Sequence, residues 1–258
     1  ECDNLKREET EIICGLYPRV STEDQSRFGH SLDEQEDRLQ KLCEFKGYKI
    51  YKVYREEGVS AKNTNRPKFQ EMIEDIKKAC QVMNEGGVIL YPTDTIWGIG
   101  CDATNEEAVR RVYQIKQRSD SKAMLVLVDS PVKVDFYVQD VPEVAWDLIE
   151  VADKPLTIIY SGARNLASNL IAEDGSVGIR VTNEEFSKRL CQQFRKAIVS
   201  TSANISGQPS PANYSEITEE LKSMVDYVVG YRQEEMGHPK PSSIIKLDKG
   251  GVIKIIRE

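Results

Sequence analysis

From residue 72 onward the apolar residues keep changing period. Spacings of three and four cover about 72–85, 105–117, 141–151, 184–195 and 214–224, and predict helices. Short apolar runs at about 87–91, 123–128, 156–160, 177–181, 197–200, 226–229, 243–247 and 252–256 predict strands. Such alternation restricts the segment to an α/β architecture, a mixed sheet with helices packed on it. Roughly 185 residues are enough for one well-cored domain.

The first 71 residues carry a separate, shorter pattern. Ile12–Tyr17 reads as a strand. Ser31 and Glu34 mark a capped helix start, and Leu32, Gln35, Leu39, Leu42 and Phe45 follow helical spacing up to Gly47. Tyr48–Tyr54 alternates as a strand, residues 58–67 are polar, and a helical pattern begins near Pro67. The expected organisation is a segment 1–71 joined without a linker to a domain 72–258.

Charge and cysteines limit the function classes. The net charge of −7 gives no global attraction to nucleic acid, although a local basic patch remains open. The six cysteines (Cys2, Cys14, Cys43, Cys80, Cys101, Cys191) show no C-x-x-C spacing and read as reduced thiols of a cytoplasmic protein. With only His30 and His238, no cluster has zinc spacing, so no protein-held metal is expected. No window approaches the ~20 apolar residues of a membrane span. The opening residues, which start at Glu1 without Met, lack a signal-peptide core and read as a fragment edge.

Four polar clusters interrupt the domain pattern. Pro92–Ala103 follows a strand and precedes a helix. It supplies Thr93, Asp94, Thr95, Gly98 and Gly100, a layout in which backbone N–H groups and a helix start can face an anion. An ordinary strand-to-helix loop is the other reading. Lys116, Arg118 and Lys122 cluster at a helix end, where cations also serve the helix dipole. Ser200–Gly207, including Ser202 and Asn204, follows a strand. Its hydroxyls and amide suit phosphate binding, or local turn caps. Lys240–Ile245, with Ser242 and Ser243, is again polar at a strand edge.

Two family resemblances follow from these residues. Tyr17–Gln25, Ser31–Gln35, Glu57–Ser60 and Arg66–Phe69 resemble the start of a serine recombinase (resolvase/invertase) catalytic domain. That resemblance implies Ser21 as nucleophile and Arg19 as its phosphate partner. The pattern departs after Glu71, before the family's Asp-Arg-x-x-Arg cluster, so Ser21 lacks the positioned cations phosphoryl transfer needs. A truncated, partial resolvase-like α/β segment fused to a second protein is the expectation.

Across 72–258, Pro92–Ile99, Lys116/Arg118, Ser202/Asn204 and Pro241–Ile244 occur in order. Lys154–Thr157 and Ser176–Val181 match as well, and the whole resembles the YrdC/TsaC family, the L-threonylcarbamoyladenylate synthases of tRNA modification. Trp97 stands where Tyr is commoner, and Ser243 where Thr is commoner. The extra C-terminal domain of longer members is not expected.

The resemblance implies a YrdC-like twisted mixed sheet flanked by helices. It also implies the joining of L-threonine, bicarbonate and ATP into threonylcarbamoyl-AMP and pyrophosphate. Lys116 and Arg118 are then the catalytic residues. Thr93, Thr95, Lys122, Arg180, Ser200, Ser202, Asn204, Ser242 and Ser243 bind substrate and nucleotide. Mg2+ arrives on ATP phosphates. The partners implied are tRNA or downstream threonylcarbamoyl-transferase proteins. Alternatives are an RNA-binding module of the same fold without turnover, a carbamoyl-transfer domain as in HypF, and, least favoured, a recombinase.

Overall fold

The chain, as a computed structural model, describes residues 13–16, 32–46, 48–53, 67–117, 124–237, 239–248 and 250–257. It divides into two compact units, Glu1–Gln70 and Glu71–Glu258.

In the first unit β1 (Ile13–Leu16) pairs in parallel with β2 (Lys49–Val53), and α1 (Leu32–Lys46) lies between them in sequence. The expected apolar face of α1 is only partly right. Cys43 is buried and Leu39 half-buried, whereas Leu42 and Phe45 are 52% and 84% exposed. The sequence reading placed the helix face about one residue out of phase. Ser21, Arg19, the Ser31 cap and the polar segment 58–66 lie outside the described residues.

Helix α2 (Pro67–Asn84) starts on a proline, which suits a first helical position. Its buried stripe is Met72, Ile76, Ala79, Cys80 and Met83, at the spacing of one helix face. Beyond it come β3 (Ile89–Tyr91), β4 (Gly98–Gly100), α3 (Glu106–Lys116), β5 (Leu125–Val128), α4 (Val132–Tyr137), α5 (Val144–Val151) and β6 (Leu156–Ser161). They are followed by β7 (Ser176–Val181), α6 (Glu185–Phe194), β8 (Ile198–Ser202), α7 (Glu219–Met224), β9 (Tyr227–Val228), β10 (Ser243–Leu247) and β11 (Ile253–Arg257).

Among the described residues the strands of the second unit form one mixed sheet of nine, ordered β11-β10-β6-β7-β5-β8-β4-β3-β9. Three pairs are parallel (β10–β6, β7–β5, β3–β9) and the other five antiparallel, three of these in succession from β5 through β8 and β4 to β3. Central strands β3, β5, β7 and β8 carry fully buried Val, Ile and Leu, as expected where both sheet faces are covered.

The structure departs from the sequence reading at three elements. Gly98–Gly100, read as loop, is a strand wedged between β3 and β8. A Cβ on Gly100 would lie 2.6 Å from Tyr91 Cε1 and 2.8 Å from the Val199 carbonyl, so this glycine serves close strand packing. Helix α4 went unread because it is one and a half turns long. The helix expected over 214–224 is split: Asn213 caps a short 3-10 turn, and Thr218 accepts from Leu221 N to start α7 afresh.

Candidate active site

Side chains of a strand alternate between the two sheet faces. On one face this alternation gathers Thr157 and Ile159 of β6, Ser176, Gly178 and Arg180 of β7, Ser200 and Ser202 of β8, and Ile244 of β10. They floor a cavity of about 370 Å³, a size common for small-molecule sites. Register sets the neighbours, with Thr157 opposite Arg180 and Leu125 between Gly178 and Ser200. The Thr95–Gly98 segment, Ser242 and Arg257 add to the wall, and none of the lining residues among those described is a carboxylate.

The Thr93–Trp97 loop is held by its own hydroxyls. Thr93 Oγ1 donates to the Ile96 carbonyl (2.7 Å) and accepts from Thr95 N (3.1 Å). This ties the loop tightly. Thr93 is buried behind the loop, and Thr95 faces the cavity and accepts from Arg180 Nη2 at 3.3 Å. Arg180 is 3% exposed, and its Nη2 lies 2.9 Å from Asp94 Oδ1. Burial pushes the Asp94 carboxyl above its ordinary value, and Arg180 opposes that rise. Arg180 Nε is buried and makes no hydrogen bond within the described protein. Buried donors are nearly always satisfied, which makes this one a candidate ligand contact.

Lys116 ends α3 on its buried face and is 2% exposed. Its Nζ donates to the Ser202 carbonyl (2.6 Å), Ser202 Oγ (3.2 Å) and Asn204 Oδ1 (2.8 Å). Ser202 Oγ also donates to Asn204 Oδ1. Lys116 therefore stands behind Ser202 instead of lining the cavity, and Asn204 is likewise turned to this cluster. Ser200 and Ser242 are buried and line the cavity, and Ser242 Oγ meets Thr157 Oγ1 at 2.9 Å. Ser243 pairs with Leu156 in the sheet and is not a lining residue. Arg118 and Lys122 lie outside the described residues.

The helix after the Pro92–Ala103 run does not present its start to the cavity: its N-terminus is capped by Asn105 and carries Glu106 and Glu107 in its first turn. Asp102 pairs with Lys196 and accepts from Thr104 N. The cavity-lining cation next to this loop is a strand side chain, Arg180.

Arg257 was not read from the sequence. Its Nε and Nη2 donate to the Ser242 carbonyl (3.0 and 2.7 Å) and bring its guanidinium to the cavity. Burial and the nearby Arg180 both push its pKa down. One arginine among isoleucines of a terminal strand offers no motif. Thr157 lay within the Lys-Pro-Leu-Thr match without a role assigned to it. Trp97 lines the cavity and packs on Tyr214, with ring centroids 5.0 Å apart and planes at 49°.

The family model described as telomere recombination (Sua5/YciO/YrdC) matches residues 81–258. The chain belongs to the Sua5/YciO/YrdC family. A resolvase N-terminal domain model matches residues 14–89 and so overlaps the start of the Sua5/YciO/YrdC match. A threonylcarbamoyl-AMP synthase of Pseudoalteromonas translucida (strain TAC 125) is 35% identical over 184 residues, 69% of this chain and 96% of the relative. Among solved structures, E. coli YciO superposes with a TM-score of 0.62 at 25% identity, over 71% of this chain and 88% of its own. P. abyssi Sua5 complexed with L-threonine gives 0.60 at 24%, over 67% of this chain and half of its own, and shows the shared fold. No helix among the described residues is long and apolar enough to cross a membrane.

Proposed function

We propose that this member of the Sua5/YciO/YrdC family is a threonylcarbamoyl-AMP synthase, an adenylyl-transferring enzyme supplying the t6A modification of tRNA. The observation that carries the reading is Arg180: a buried cation with an unpartnered N–H, in a cavity lined by hydroxyls, a second arginine and no carboxylate. The curated relatives bearing that name support it along nearly their whole length.

In this reading the threonine amine combines with bicarbonate to form a carbamate and water. A carbamate oxygen then attacks the α-phosphate of ATP, and pyrophosphate leaves. Negative charge gathers on phosphate oxygens, so catalysis needs fixed donors and cations more than an acid–base pair. Arg180 Nε and Arg257 hold the anionic groups, and Ser200, Ser202 and Ser242 donate hydroxyls. Thr95 lines the threonine end and Thr93 keeps it in place. Lys116 acts by fixing Ser202 and Asn204, and Arg118 and Lys122 serve as phosphate cations. No three His, Cys, Asp or Glu among the described residues group as a metal site. In this reading ATP arrives as its magnesium complex, the ion held by phosphates and water.

The deciding experiment is pyrophosphate release from ATP by the purified chain with and without L-threonine and bicarbonate, with threonylcarbamoyl-AMP identified by mass. Release should require both co-substrates. Arg180→Ala should lower kcat/KM by about 10²–10³-fold, as loss of a preorganised donor does. Absence of the product, or an unaffected Arg180→Ala variant, removes the reading.

A further inference from the structure

The segment after β9 is built around one strained residue. Arg232 has φ +67, the left-handed region that side-chain-bearing residues avoid. Its neighbours hold it there. Tyr231 N donates to Asp75 Oδ2 at 2.8 Å, and the Tyr227 hydroxyl donates to Asp75 Oδ1. The Tyr231 ring stacks on Phe186 with centroids 5.6 Å apart, and Gln233 Nε2 donates to the Val229 carbonyl. Non-glycine strain that is over-determined in this way concentrates at functional sites.

The strained backbone aims one side chain. Arg232 Nη1 donates to the Thr93 carbonyl at 3.1 Å and lies 3.3 Å from Glu184 Oε1. Its Nε and Nη2 both reach Glu235 Oε2 at 2.8 Å. Glu184 is fixed in turn as the cap of α6, accepting from Phe186 N and Ser187 N. Glu184 and Asp94 line the same second cavity, of about 140 Å³, on the sheet face opposite the candidate active site. The charges therefore alternate from Arg232 to Glu184, then Asp94 to Arg180, and the two arginines hold consecutive residues of the loop, Thr93 on one side and Asp94 and Thr95 on the other.

We infer that Arg232 is a positioning residue: through the Thr93 carbonyl it sets the Thr93–Trp97 loop, and so the place of Thr95 and Arg180, for substrate binding. The inference rests on the synthase reading for its substrate and on geometry for its mechanism. A planar guanidinium serves three acceptors on three segments at once, which an ammonium cannot do with the same directions. Freed of that clamp, Thr95 and Arg180 would still be present but less often in register, which shows first as weaker binding.

The test compares Arg232→Ala and Arg232→Lys in the full chain by two independent readouts. In the synthase assay, Arg232→Ala should raise KM for L-threonine about tenfold while kcat stays within about threefold, and Arg232→Lys should recover part of that loss. In amide hydrogen exchange without substrates, residues 93–97 should exchange faster in Arg232→Ala while β5, β7 and β8 keep their protection. Unchanged exchange of 93–97, faster exchange throughout the sheet, or a lysine variant no better than alanine would each overturn the positioning role. A parent chain with no synthase activity overturns the substrate assignment instead, and the exchange readout still judges the clamp.

Discussion

Arg180 of β7 and Asp94 of the loop before β4 form a buried ion pair with Nη2 and Oδ1 2.9 Å apart. The pair joins the floor of the cavity to its threonine-bearing wall. Burial raises the Asp94 carboxyl above its ordinary value, and the guanidinium beside it opposes that rise.

This makes Asp94 an acid-sensitive element. A carboxyl raised in the folded protein holds its proton more tightly there than in the unfolded chain. Its own contribution to stability is therefore greatest at low pH and falls as pH rises through the folded value. Activity runs the other way, since ionised Asp94 restrains Arg180 more firmly than the neutral acid does. The acid limb of the kcat/KM–pH profile should lie above the ordinary carboxylate range, and Asp94→Asn should remove that limb and lower the plateau. A limb unchanged in Asp94→Asn would assign it to another group.

Lys116→Met tests the cluster behind Ser202. Methionine fits the stem but leaves the Ser202 carbonyl and Asn204 Oδ1 without the ammonium that both now accept from. Buried acceptors stripped of a charged donor cost about 2–4 kcal/mol, measurable as a lower urea midpoint at unchanged slope. Synthase turnover should fall with it. A variant of parental stability would mean that the cluster rearranges around water.

Gly100→Ala separates two readings of the glycines in the Pro92–Ala103 run. As a ligand-facing glycine it would affect binding alone. As a packing glycine it forces a Cβ against Tyr91 and the Val199 carbonyl and should destabilise by about 3 kcal/mol. Gly250→Ala, with nothing within 4 Å, is the control and should stay within about 0.5 kcal/mol of the parent.

The first unit offers a further expectation. Among the described residues its sheet has two strands, β1 and β2, and α1 leaves Phe45 in solvent. Two-stranded sheets are marginal by themselves. Amides of β1 and β2 should exchange orders of magnitude faster than those of β5, β7 and β8. Comparable slow exchange in both would show the first unit to be independently stable. We further propose that the segment 1–71 takes no part in the synthase reaction.

Much of the architecture was legible in the chain because periodicity is local. α3 over 106–116, α6 over 185–194 and β10 over 243–247 fall where apolar spacing put them, since each buries one face at a period its own sequence sets. The polar clusters were legible too. Thr95, Ser200, Ser202 and Ser242 of those clusters line the cavity, as does Arg180, which only the family resemblance pointed to.

What the sequence could not determine depends on distance along the chain. β4 is a strand only because β3 and β8 accept its backbone, and its glycines read locally as a turn. Arg257 reaches the cavity only because β11 pairs with β10 and returns it to Ser242, 15 residues back. Lys116, read as a phosphate cation, is turned instead onto Ser202 and Asn204, more than 80 positions away. Composition and spacing fixed which groups are available, because side-chain chemistry and strand or helix period are properties of short stretches. Which of them meet, and which donor is left unpaired for a ligand, was decided by sheet order and register, since only tertiary packing brings such distant segments into hydrogen-bonding reach.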